Sequence, residues 1–129
     1  AHAAPALTTL NLSENAVEER EGWEALGEAL QRGALPKITE LKLHSCGMNG
    51  RGLAAFAGAL HAHAAPALTT LNLSENAVEE REGWEALGEA LQRGALPKIT
   101  ELKLHSCGMN GRGLAAFAGA LHAHAAPAL

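Results

Sequence analysis

The chain has 129 residues, a formal net charge of −4 and only 3% aromatic residues. That length suits one domain with a continuous core and is too short for two independent ones. The weak negative balance gives no electrostatic footprint for nucleic acid or an anionic membrane. No apolar run reaches the roughly 18 residues of a membrane span, and no basic, apolar leader opens the chain.

Ala1 to Ala6 form an overhang before the first patterned stretch. Thr9-Leu10-Asn11-Leu12-Ser13 then alternates polar and apolar residues, as a strand with one buried face does. Leu10 and Leu12 are expected to point inward, and Thr9, Asn11 and Ser13 outward. Trp23, Leu26, Ala29 and Leu30 follow at the spacing of one helix face. Glu18, Glu19 and Glu21 suit the positive end of that helix, and Gly33 and Pro36 mark its close. A second strand, Glu40-Leu41-Lys42-Leu43-His44, repeats the alternation. Asn49 is the expected N-cap of a second helix with Leu53, Phe56, Ala57 and Leu60 on its inner face, and Pro66 ends the unit. Gly27 and Gly58 read as mid-helix glycines, each costing about 1 kcal/mol against Ala unless close helix contact offsets it.

Residues 1–61 then recur letter for letter as 62–122, and a third copy begins at Ala123 and runs to Leu129. Each copy holds an A unit and a slightly shorter B unit, giving one solenoid with units 7–37, 38–67, 68–98 and 99–128. Natural solenoid units need only keep their strand and helix pattern, so they drift. Identity at every surface position therefore favours a designed, idealised repeat over a recently duplicated gene.

The strand stretches carry a motif. Leu7 to Asn15 reads L-x-x-L-x-L-x-x-N, and Ile38 to Cys46 carries the same pattern with Cys at the last place. Both return as 68–76 and 99–107. The chain thus resembles the leucine-rich repeats, specifically the ribonuclease-inhibitor class, which alternates Asn and Cys units of slightly different length. Val17, Met48, Gly22 and Gly52 fit further positions of that class. The resemblance implies an α/β solenoid: a curved right-handed horseshoe segment with parallel strands on the concave side, helices on the convex side, and a protein-binding surface. Strands stack about 4.8 Å apart while helices need about 8–10 Å, so each unit is expected to tilt by about 20–30°.

The chemistry-bearing residues favour structural roles. Asn15 and Asn76 are expected to satisfy backbone groups where the chain turns after the strand. Cys46 and Cys107 take the same place as small buried thiols. Being two units apart, about 9–10 Å by strand spacing, they exceed the roughly 7 Å reach of a disulfide. Free thiols fit a reducing, cytoplasmic-type compartment. His61-Ala-His63, His122-Ala-His124 and His2 suit helix C-termini and lack neighbours for a metal site, so no metal and no cofactor is expected. Ser13 with His44, and Ser74 with His105, are possible lateral pairs. With no Asp in the chain and no pocket on a solvated sheet, an enzyme is not expected. Asn11-Leu12-Ser13 and Asn72-Leu73-Ser74 match a glycosylation sequon by coincidence of strand composition.

A protein partner would meet the concave rows Thr9/Glu40/Thr70/Glu101, Asn11/Lys42/Asn72/Lys103 and Ser13/His44/Ser74/His105. These rows lack the aromatic and Arg residues that dominate binding hot spots. The ends offer another surface. Leu7, Leu10 and Leu12 at one end, and Leu114, Phe117 and Leu121 at the other, carry no polar capping repeat. Self-association head to tail is expected, as a filament or as a ring of about three to five chains. Two functions therefore compete: a self-assembling scaffold without a native ligand, and an interaction module that binds a protein on its sheet.

Overall fold

The computed structural model describes residues 6–121. His2, His122, His124, most of the overhang and the third copy lie outside the described residues.

Four short strands and four helices alternate along the chain. They are β1 (Thr9–Asn11), α1 (Arg20–Gln31), β2 (Glu40–Lys42), α2 (Gly50–Gly58), β3 (Thr70–Asn72), α3 (Arg81–Gln92), β4 (Glu101–Lys103) and α4 (Gly111–Gly119). The strands form one parallel sheet in the order β1-β2-β3-β4. Thr9 pairs with Glu40, Glu40 with Thr70 and Thr70 with Glu101. The leucines Leu10, Leu41, Leu71 and Leu102 therefore form one inward row. That register follows from the repeated motif, because a slip of one residue would turn every leucine to water.

The regular strands span three residues rather than the five suggested by the alternation. The ladder nevertheless runs on past them through Leu12 N–H to Lys42 O at 2.9 Å and Glu14 N–H to His44 O at 3.2 Å. There the chain turns through Glu14, Ser45, Glu75 and Ser106, all at positive φ. The turn pulls these residues out of strand geometry without breaking the stack.

The core lies between sheet and helices and includes Leu41, Leu43, Met48, Leu53, Phe56, Leu71, Leu73, Trp84 and Leu87. Trp23 and Trp84 are buried, and their indole N–H groups donate to Val17 O and Val78 O at 2.8 and 3.0 Å. Each indole lies against the first turn of the next helix. A Cβ at Gly52 would sit 2.6 Å from Trp23 Cδ1, and one at Gly113 the same distance from Trp84 Cδ1. A helix glycine here admits an aromatic ring.

The two glycines read as mid-helix differ. A Cβ at Gly27 would lie 2.6 Å from Phe56 O and 2.9 Å from Ala59 Cβ, so its absence lets α1 and α2 approach. Gly58 instead is the last residue of α2 and has open space around it, which corrects its placement in mid-helix. The helix ends are otherwise as expected. Asn49 caps α2 by accepting from Gly52 N–H at 2.9 Å, and Gly33 turns the chain after α1 with φ 80.

Candidate functional site

The sheet face is built almost entirely from contacts among its own side chains. Glu40 and Lys42 lie on one strand with their charges 3.8 Å apart, and Glu101 and Lys103 repeat the pair at 3.6 Å. Compensation thus runs along each strand rather than across the rows. Exposed pairs of this kind contribute about 0–1 kcal/mol.

One row further on, the expected Ser–His pairs form. Ser13 Oγ lies 2.9 Å from His44 Nδ1, and Ser74 Oγ lies 2.9 Å from His105 Nδ1. Asn72 Nδ2 approaches the same His44 nitrogen at 3.2 Å. Its Oδ1 accepts from Ser74 N–H at 3.0 Å, which fixes the amide orientation. The imidazole therefore faces a hydroxyl and an amide, not the carboxylate that would orient a catalytic histidine. Ser74, expected on the open surface, is buried. With strands on both sides and His105 against its hydroxyl, it offers a partner nothing. Thr9, Asn11, Glu101 and His105 are exposed, while Ser13, Glu40, Lys42, His44, Thr70, Asn72 and Lys103 are half-buried.

Below the sheet edge, Asn76 uses its full hydrogen-bonding capacity. Its Oδ1 accepts from Cys46 N–H at 2.8 Å and Met48 N–H at 3.1 Å. Its Nδ2 donates to Leu43 O at 2.9 Å and Leu73 O at 2.8 Å. Cys46 Sγ sits 3.0 Å from Leu12 O and Cys107 Sγ 3.1 Å from Leu73 O, so each thiol also joins its unit to the previous one. Both cysteines are free and buried. Burial pushes both thiols above their ordinary pKa, and hydrogen bonds from the backbone at Asn15 and Glu14, or Asn76 and Glu75, pull partly the other way. Asn15 has no preceding unit among the described residues. It is exposed and donates only to Leu12 O.

The junction between the first B unit and the second A unit carries contacts that the sequence reading missed. Arg93 reaches back to the end of α2, donating to Leu60 O at 2.7 Å and Ala57 O at 2.9 Å. Glu80 does not cap its own helix α3; its carboxylate accepts from Gly50 N–H, at the start of α2, at 2.8 Å. Of the acidic residues at this position in the repeat, Glu80 thus serves the neighbouring helix, while Glu21 and Glu82 lie in the first turns of their own helices as expected. Ser45 Oγ donates to Glu75 Oε1 at 2.8 Å. The signal was present as a constant separation of about one unit between a Glu or Arg of A and a helix end of B. Only the packing shows which helix each residue reaches.

At the solenoid ends the same side chains lack these neighbours. Leu114 is 55% exposed, whereas its repeat mate Leu53 is 0% exposed. Phe117 and Leu121 are half-buried, and so are Leu7, Leu10 and Leu12 at the other end. Glu19 and Arg32 have no preceding helix among the described residues to receive the contacts that their mates Glu80 and Arg93 make to α2. On the helix face, open grooves of about 610 and 570 Å³ lie between α1 and α2 and between α3 and α4, with Glu24 and Glu28, or Glu85 and Glu89, over alanine-rich floors.

A family described as Leucine Rich repeat matches residues 34–57 and 95–118, which cover both B units from their strands into their helices. The chain is a leucine-rich-repeat protein. A solved structure titled leiomodin-1 actin-binding site 2 has the same fold, with a TM-score of 0.71 at 23% identity over 90% of this chain. The present solenoid spans 64% of that chain's length. No curated protein matches the sequence. Among the described residues no helix of the solenoid is long and apolar enough to cross a membrane.

Proposed function

We propose that this leucine-rich-repeat solenoid is a non-enzymatic interaction scaffold of the ribonuclease-inhibitor-like type that joins copies of itself head to tail. The observation that supports this reading is the internal junction of its first B unit with its second A unit. The α2 and β2 side of that junction has the same residues as the open α4 and β4 end. The β3 and α3 side has the same residues as the β1 and α1 end. A second copy therefore presents a complementary partner surface by construction. It supplies Arg32 for the α4 carbonyls, Glu19 for Gly111 N–H, and Asn15 for Cys107 and Met109 N–H. It also covers Leu114, Phe117 and Leu121. The perfect repetition of residues 1–61 supports a designed origin for such a scaffold.

Light scattering with small-angle scattering across a dilution series tests the proposal. A mass that rises with concentration, and a profile extending as stacked units, is the expected result. Leu114→Glu should return the chain to a monomer with an unchanged circular dichroism spectrum, since that side chain is already largely in water. A concentration-independent monomer for the parent chain overturns the reading.

A protein partner on the sheet face is the second reading, and the actin-binding title of the similar structure supports it. Substitution of Lys42 and Lys103 by Glu separates the two. It should weaken a sheet-bound partner and leave end-to-end association unchanged.

A further inference from the structure

We infer that Asn110 is a site of spontaneous deamidation and that Asn49, in an identical stretch of sequence, is protected from it by the adjoining repeat. Asn-Gly is the dipeptide most prone to this reaction, because a glycine leaves the following backbone nitrogen free to approach the side-chain amide. The chain contains two such dipeptides, Asn49-Gly50 and Asn110-Gly111, each at the N-cap of a nine-residue helix. Their local backbones agree, with φ −108 and ψ −174 at both asparagines. Both side chains accept from the N–H three residues on, at 2.9 Å. Sequence and local conformation therefore cancel in the comparison.

What differs is the attacking nitrogen. Gly50 is buried, its N–H donates to Glu80 Oε1 at 2.8 Å, and its carbonyl lies against Gly83. To react, this nitrogen must lose its proton and swing toward Asn49 Cγ, so the Glu80 contact and the α2–α3 packing must first open. Gly111 is exposed, has no atom of another element within 4 Å of where a Cβ would stand, and donates to no acceptor among the described residues. Its nitrogen is free to react without that opening.

The chemistry balances with water alone. Gly111 N attacks Asn110 Cγ, its proton passes to solvent, the Cγ–Nδ2 bond breaks, and ammonia leaves a succinimide. Water then opens either carbonyl. One product is aspartate, whose carboxylate remains a good N-cap at the positive helix end. The other is isoaspartate, which inserts a carbon into the backbone at the first turn of α4.

The experiment ages the chain at mildly alkaline pH and body temperature, at a dilution where light scattering reports monomer. It then maps the products by mass spectrometry. Trypsin would release the same peptide from both sites, so cleavage after glutamate is used instead; it gives 41–75 and 102–129, which differ in mass. The expected result is conversion of Asn110 faster than Asn49 by about tenfold or more. The two rates should become equal in denaturant, where the environments are the same. Glu80→Ala should accelerate Asn49 and leave Asn110 unchanged; Glu80 is exposed and caps nothing in its own helix, so the variant should fold. Equal rates in the folded parent chain overturn the inference. An Asn49 rate unmoved in a folded Glu80→Ala chain overturns the protective role given to that carboxylate.

Discussion

Replacing Asn76 by alanine separates the repeat's internal ladder from its ends. In the folded chain the substitution leaves Cys46 N–H and Met48 N–H without their acceptor and takes the amide donor from Leu43 O and Leu73 O. Leu73 O keeps a thiol contact from Cys107, so the carbonyls suffer less than the two N–H groups. A buried donor left unpaired costs about 1–3 kcal/mol, which puts the loss near 3–5 kcal/mol. A chain of this size is stable by about 6–19 kcal/mol, so Asn76→Ala removes a large share of it. The same change at Asn15 removes one exposed contact to Leu12 O and should cost under about 1 kcal/mol. Urea titration followed by the fluorescence of Trp23 and Trp84 measures both. A midpoint shift with unchanged slope reports stability alone. Equal costs for the two substitutions would mean that position in the stack does not decide what the amide is worth, contrary to this account.

Gly27→Ala should destabilise by about 1–3 kcal/mol, since the new carbon would press on Phe56 O. Gly58→Ala should stabilise by about 0.5–1 kcal/mol, having open space and a helical backbone; thermal melts of the two variants should move in opposite directions. Arg93→Ala should cost about 1–2 kcal/mol by freeing the α2 carbonyls, while Arg32→Ala should leave the monomer's melt unchanged and weaken association. For the thiols, the folded-state pKa lies above the unfolded one. Their stabilising contribution is therefore whole below the ordinary thiol pKa and is lost as pH rises through and beyond it. Stability should fall in that alkaline range, and a Cys46→Ala, Cys107→Ala chain should show less of the fall. A thiol-specific dye should label both cysteines slowly until denaturant is added.

The leucine rows were legible because a period-2 pattern repeated four times leaves one register that buries every leucine. Asn49 as a cap and Gly33 as a stop were legible too, since each acts within its own turn. Contacts between units were not. Gly27 and Gly58 are the same letter in similar helical runs, and only the approach of Phe56 O to one of them tells them apart. Glu80 and Arg93 look like ordinary surface charges flanking α3, yet their partners lie at the two ends of α2, about one unit back in sequence. Ser74 reads as a surface residue by alternation and is buried because it has a unit on both sides as well as His105 against its hydroxyl. Ser13, with the same histidine contact at the sheet edge, stays half-buried. Periodicity reports what each residue does for its own element; it carries little about what the residue does for the next.

Since the second A unit is a letter-for-letter copy of the first, the chain has no means of telling its own third unit from another chain's first. A covalent link gives the internal junction an effective concentration of about millimolar for a short flexible connection, whereas an external junction forms at whatever concentration the sample has. On the proposed assembly, the affinity between chains and the coupling that makes the two halves of one chain unfold together become one free energy sampled under two standard states. Measuring either constrains the other, after correction for the connection and for residues 1–6 and 123–128, two copies of the one segment that fills 62–67 at the internal junction.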